Sequence, residues 1–293
     1  MSLGEFELIA QIRKQTRVNS RVLLGIGDDA ALIRPRGRKD ILFTTDMLIE
    51  DRHFRLKDAT AYEIGHKALA VNLSDIAAMG GIPTEAVVAA GLPKRFNARF
   101  VKELYSGLHD LAKRFDVNLV GGDTNQSEKL ILSVAMLGEV ERGKALRRSG
   151  AQVGDIVMVS NELGGSYISR KHLNFIPRVR EARYLAKHFH VHAMMDISDG
   201  LASDIRRIAE ESNVGVLIEE SCVPVSRFAK NASQALTEGE DFELLFTLSK
   251  KEAGIAEKKF YRVGRIVPKS QGVQLLKKNG AHVPLKGGFD HFK

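Results

Sequence analysis

At 293 residues the chain is longer than one hydrophobic core ordinarily holds, so two domains are expected. Its 44% hydrophobic and 27% charged residues fit a globular protein, and a single cysteine, Cys222, excludes a disulfide framework or thiolate metal cluster. The net charge of +8 would suit a nucleic-acid partner, but the basic residues are scattered, Trp is absent and aromatics reach only 6%, so no base-stacking platform is visible.

A scattered basic surface instead attracts anionic metabolites. No apolar run reaches the roughly eighteen residues that a membrane span needs. The acidic start, Met1 to Glu7, lacks the build of a signal peptide, so the chain reads as cytoplasmic.

Apolar spacing predicts a short helix over Glu5 to Lys14. Val22 to Ile33 follows, with Gly25-x-Gly27-x-x-Ala30, a formal match to a dinucleotide fingerprint. That fingerprint needs a helix opening after the glycines, and Pro35 and Gly37 stop one. A turn presenting Asp28 and Asp29, either to a cation or simply to solvent, fits better.

Ile41 to Phe43 read as a strand ending in Thr44-Thr45-Asp46, a tip made only of hard oxygen donors. His53 lies in the polar loop beyond it, placed to meet an anionic substrate. Ala59 to Met79 is the longest helical pattern, stopped by Gly80-Gly81 and apolar on nearly every face from Ala68 onward. It should be buried, and Asp75 within it then needs a cation or a basic partner such as Lys67 or a distant Arg.

Glu85 to Leu92 reads as a central strand, and Asn97 to Phe115 as an amphipathic helix capped by Asn97. Tyr105 lies off that helix's apolar stripe, free either to pack or to reach a ligand. Val117 to Val120 should be a short strand running into Gly121-Gly122-Asp123-Thr124, and Leu130 to Val140 another.

The polar, basic stretch Glu139 to Gly154 marks the expected boundary, with domains over 1–139 and 140–293. Beyond it come a strand at Asp155 to Ser160 and a glycine turn at Gly164-Gly165-Ser166. A basic helix is predicted over Pro177 to His190, followed by the acid-bearing Asp196-Ile197-Ser198-Asp199-Gly200. A helix at Ser203 to Glu211 and a strand at Val214 to Ile218 precede Glu238-Gly239-Glu240-Asp241, acids on a glycine turn before the apolar strand Leu244 to Phe246. Tyr261 to Val267 is a late strand.

Acids beside Gly, Ser or Thr thus recur along the chain, with hydroxyls and no thiolate, a donor set suited to Mg²⁺. So many acids in one place would repel one another unless cations and a polyphosphate shared the space. No P-loop and no protein-kinase motif set occurs.

Gly25 to Ala31, Thr44-Thr45-Asp46, Lys67 to Gly80, Gly121 to Thr124, Asp196 to Leu201, Glu240 to Leu244 and Phe289 to Phe292 together resemble the thiamine-monophosphate kinase family, in order along essentially the whole chain. The resemblance implies ATP-dependent phosphorylation of thiamine monophosphate. It also implies an α+β, two-domain fold like that of aminoimidazole ribonucleotide synthetase. In that fold the N-terminal domain forms a barrel across a homodimer, and a C-terminal α/β sandwich domain completes the site.

By the same resemblance, Asp29, Thr44, Thr45, Asp46, Asp75, Asp123, Asp196 and Asp199 are metal ligands, with Asp46, Asp75 and Asp123 at the catalytic centre. Tyr105, Gly122, Asp123, Arg148 and Ser198 contact the nucleotide, and His53, Glu240 and Phe289 the thiamine phosphate. Related synthetases of the same superfamily are the alternative, but the reactive cysteines that selenophosphate synthesis or hydrogenase maturation would use are missing from the N-terminal region and from the tail. The chain departs from the family in its Gly164-Gly165-Ser166 turn, in a short segment after it and in a tail without Trp.

Overall fold

The structure is a computed structural model that describes residues 22–35 and 37–289. The expected helix at Glu5 to Lys14 and the tail residues Asp290 to Phe292 lie outside them. Two sheets, each with its own helices, are joined by one long helix.

The first sheet contains β1 (Val22–Leu24), β2 (Ala31–Ile33), β3 (Lys39–Ile49), β4 (Ile82–Leu92), β5 (Asn118–Gln126) and β6 (Ile131–Glu141), in the order β1-β2-β3-β6-β4-β5. Helices α1 (Ala61–Ala78) and α2 (Ala98–Phe115) cover one face. The second sheet is antiparallel except for one parallel pair. It contains β7 (Ile156–Val159), β8 (Ala193–Asp196), β9 (Gly215–Glu219), β10 (Leu244–Leu248), β11 (Tyr261–Val267), β12 (Val273–Leu276) and β13 (His282–Pro284). Its order is β13-β12-β9-β11-β7-β10-β8.

Helix α1 begins with a reciprocal cap. The Thr60 hydroxyl accepts from Glu63 N at 3.2 Å, and the Glu63 carboxylate accepts from Thr60 N at 2.8 Å. It is buried on almost every side because three bodies surround it: the first sheet, α2 and the second half of the chain. The contact with α2 is backbone-close. A Cβ on Gly65 would lie 1.9 Å from the Leu104 carbonyl oxygen, and one on Gly107 would lie 2.0 Å from that of Tyr62.

In the second half, both faces of the sheet are covered. Ile156, Met158 and Phe246 share a core with α4 (Val179–His188) and α7 (Lys250–Ala256), which follow the short α3 (Lys171–Asn174) in chain order, counting α5 (Leu201–Ser212) and α6 (Ala232–Thr237). Val157, Val159 and Leu245 pack on α5 and α6 instead. Two covered faces explain the unbroken apolar runs in these strands. Ala77 of α1 joins the α4 core, while Leu173, Phe175 and Phe242 join that of the first sheet.

Three expectations are corrected. Asp46 does not end its strand: β3 continues to Ile49, so Asp46 sits inside it. Asp123 likewise lies within β5, which runs unbroken through the two glycines. The apolar β4 is next to the edge strand, and its other face is open, with Val87 41% exposed. The turn at Asp28 and Asp29 joins two antiparallel strands with no helix after it, as expected.

Candidate functional site

Four elements carry acids to one place. The β1–β2 turn brings Asp29, β3 brings Thr44 and Asp46, α1 brings Ser74 and Asp75, and the end of β8 brings Asp196. Carboxylate oxygens of Asp29, Asp75 and Asp196 all lie within 4.8 Å of one another. Thr44 Oγ1 donates to Asp75 Oδ2 at 2.5 Å and to the Asp29 carbonyl at 3.3 Å. Ser74 donates to Asp196, and Asp46 is a neighbour of Asp75 whose charge acts on it.

Arg148 is the cation of this cluster. Its guanidinium holds Asp29 through two bonds of 2.9 and 3.1 Å, and its backbone N–H donates to Asp28 at 3.1 Å. One arginine does not balance the acids. Burial, then repulsion from Asp46, Asp196 and Asp29, pushes Asp75 far above the usual carboxylate range. Burial and Asp29 do the same to Asp196, and burial with Asp29 lifts Asp28 to about 7 against the pull of Arg148. Asp204, buried in the first turn of α5, is raised by burial and by Asp199 and Asp196. A hard cation among these oxygens would let the acids ionise together, and the donor set fits one.

A second feature adjoins the first. A cavity of 330 Å³ is lined by the 51–59 loop, including His53, and by Tyr167, His172, Leu173 and Glu240. His53 Nδ1 accepts from Ile49 N at 3.0 Å, which orients the ring. Lys67, with no exposed side-chain surface, reaches from α1 to pair with Glu240 and to donate to the His53 carbonyl at 2.8 Å. Glu240 has a left-handed backbone (φ 65°), held by its N–H to the Ser198 carbonyl at 2.6 Å and by Ser166 Oγ to its carbonyl at 2.6 Å. Cavity and carboxylate cluster are therefore linked twice: through Ser198, two residues past Asp196, and along α1, where Lys67 and Asp75 stand about 12 Å apart.

The remaining expected site residues are placed as follows. Ser198 and Asp199 occupy the turn after β8, and Phe289, half exposed, donates its N–H to the Asp199 carbonyl at 2.9 Å. Tyr105 is half-buried on α2 against the first core, its ring 6.2 Å from that of His109. Gly122 is packed so tightly on β4 that a Cβ would meet the Val88 carbonyl at 1.9 Å.

Thr45 and Asp123 do not join the acids. Register pairs Asp46 with Val134, Val134 with Val88 and Val88 with Gly122, all on the helix-covered face. Asp123, one residue on, belongs to the open face with Met47 and Ala89, and so does Thr45, whose hydroxyl donates to the Val134 carbonyl at 3.0 Å.

The sequence points to Lys67 only as a partner for Asp75 and does not single out Ser74, Asp204, Tyr167 or His172. A lysine inside an otherwise apolar helix was the one available signal for Lys67.

Family models of AIR synthase related protein match both halves, the N-terminal domain over residues 27–140 and the C-terminal domain over 152–275. The thiamine-monophosphate kinase of Bacillus subtilis is 36% identical, covering 99% of this chain and 100% of its own. The chain belongs to the thiamine-monophosphate kinase family. Two solved structures agree in shape. AaThiL complexed with AMPPCP and TMP superposes with a TM-score of 0.86 at 31% identity, covering 100% of this chain and 99% of that one. Thiamine-monophosphate kinase from Stenotrophomonas maltophilia K279a does so at 0.76 and 36% identity, covering 97% and 99%. The fold is thus the two-domain AIR synthase type, with mixed α/β sheets. Among the described residues, no helix is long and apolar enough to cross a membrane.

Proposed function

We propose that this protein transfers the γ-phosphoryl group of ATP to thiamine monophosphate, forming thiamine diphosphate and ADP. The observation that carries this reading is the junction of a crowded carboxylate cluster with a cavity holding both His53 and Glu240. Family membership and the AMPPCP and TMP named with the AaThiL structure support it.

The acceptor is already a phosphate anion, so no side chain is needed to create a nucleophile. What the site must do is bring two anions together in line and exclude competing geometry. His53 and Glu240 would orient the acceptor from the cavity, and Phe289 would close it from the tail. Arg148 and Ser198 would steady the nucleotide from the cluster side, with Tyr105 and Gly122 as further contacts. Asp29, Thr44, Asp46, Asp75, Asp196 and Asp199 would hold Mg²⁺, which when bound neutralises charge between the reacting phosphates. Among them Asp46 and Asp75 would stand nearest the reacting phosphates.

Thr45 and Asp123 lie on the open face of the first sheet, away from this set. That face exposes Phe43, Met47, Val87 and Val120, 41 to 61% each. A contiguous apolar face beside the edge strand β5 suits a second copy, forming a barrel across a homodimer. In this scheme residues 1–139 dimerise and bind metal and ATP, while residues 140–293 complete the substrate site.

Incubation with ATP, Mg²⁺ and thiamine monophosphate should yield thiamine diphosphate with ADP in equal amounts. Asp46→Asn should lower kcat by at least about a hundredfold with the fold intact, the scale of losing one electrostatic group at the reacting centre. Wild-type turnover in that variant at saturating Mg²⁺ would remove Asp46 from the mechanism.

A further inference from the structure

The cavity holds a feature that the transfer chemistry leaves unused. Tyr167 is 54% exposed yet lines the cavity wall, where its ring stacks on His172 at 4.8 Å between centroids and 23° between planes. His172 is buried, and its Nδ1 is fixed to the Ser166 carbonyl at 3.0 Å. Burial, partly offset by that bond, pushes its imidazole below the usual histidine range. The segment is clamped across the two halves of the chain. Arg170 grips the Asp58 carbonyl at 2.5 Å and the Glu63 carboxylate at 2.7 Å, and Tyr167 Oη donates to Asp58 at 3.4 Å. A half-exposed aromatic ring held this firmly over a cavity is a prepared stacking surface.

Both signs of charge line the cavity. The first-half loop brings Arg52, His53 and Arg55 together with Asp51 and Asp58, and the second half brings Tyr167, His172 and Glu240. Asp58 accepts from Tyr167 Oη, so acids flank the aromatic wall, while Arg52 and Arg55 are the cations available to an anionic group. A ligand that is anionic at one end and a cationic heteroaromatic at the other would match this arrangement. The volume of 330 Å³ lies within the range for a single small molecule.

We propose that Tyr167, backed by His172, is the specificity-determining wall for the cationic heteroaromatic end of the acceptor, while the basic side of the loop faces its phosphate. This inference rests on the reading of thiamine monophosphate as acceptor. Ring-face contact with a thiazolium provides cation–π attraction that a phosphate-only contact would not supply.

The test combines calorimetric titration of thiamine monophosphate with steady-state kinetics on the full chain. Tyr167→Ala should weaken binding of the acceptor and raise its KM by about tenfold, the scale of a partly desolvated cation–π contact. The KM for ATP should change by less than about twofold, and Tyr167→Phe, which keeps the ring but loses the bond to Asp58, should retain most of the acceptor affinity that Tyr167→Ala loses. A neutral analogue, with the thiazolium replaced by thiophene, should lose far less on Tyr167→Ala than the cation does. Unchanged acceptor binding in Tyr167→Ala, or equal losses for cation and neutral analogue, would overturn the assignment while leaving the kinase reading standing. A folded wild-type protein that neither binds nor phosphorylates thiamine monophosphate would sink both.

Discussion

Replacing Lys67 with Met tests whether the buried ammonium joins the two halves of the site. Lys67 has no exposed side-chain surface, whereas its partner Glu240 keeps 34%. Losing one partner of a wholly buried pair costs about 3–5 kcal/mol. Here the surviving Glu240 carboxylate can rehydrate, which lowers that cost. The His53 carbonyl also loses its donor, worth about 1–3 kcal/mol. Met retains most of the apolar stem and offsets part of both. The net loss should be about 2 kcal/mol, or a fall in Tm of about 3 °C for a chain of this size.

Thermal melts followed by circular dichroism would measure it, beside Glu240→Gln and the double variant. The double variant should be more stable than the sum of the single losses predicts, by about 1 kcal/mol or more. The acceptor KM should rise in Lys67→Met, because both residues it holds line the cavity. A Lys67→Met protein as stable as wild type, or a cycle showing additivity, would refute the role given to the pair.

Other expectations follow from single contacts. Burial pushes the Glu63 carboxyl up, but bonds from Arg170, Asn174 and Thr60 outweigh it and hold it at about 2, against an ordinary 4.5. Its contribution is present above pH 4.5 and is lost as pH falls toward 2. The stability gap between wild type and Glu63→Gln, at most roughly 3 kcal/mol at pH 7, should narrow steadily in urea titrations taken to pH 3; a constant gap would contradict it. Gly65→Ala should destabilise by at least about 3 kcal/mol, because the new methyl meets rigid backbone and the gain in helix propensity is only about 1. An unchanged urea midpoint would mean that α1 and α2 are not in backbone contact. The proposed homodimer predicts that Met47→Arg lowers the sedimentation coefficient toward that of a monomer in analytical ultracentrifugation and lowers turnover; sedimentation identical to wild type would rule out this face as the interface.

Much of the local structure was legible in the chain. The Gly80-Gly81 stop and the Asn97 cap mark helix ends that match the residues that signal them, since such bonds are made within a few residues; α1 starts two residues after the expected Ala59, behind the Thr60–Glu63 cap. The hard-oxygen chemistry was legible too, because acids beside Gly, Ser and Thr identify donor type without any knowledge of distance.

Which donors meet was decided only by the tertiary structure. Asp46 and Thr45 are neighbours in sequence, yet strand alternation sends one to the acid cluster and the other to the open face. Asp123 reads in sequence as a strand-end acid, but β5 continues through Gly121 and Gly122 and places it on the face opposite the cluster. The Lys67–Glu240 pair spans 173 positions and the Tyr167–Asp58 contact 109. No local periodicity encodes such pairings. They arise because α1 is enclosed by both halves of the chain, and burial then requires every charge it carries to find a partner there.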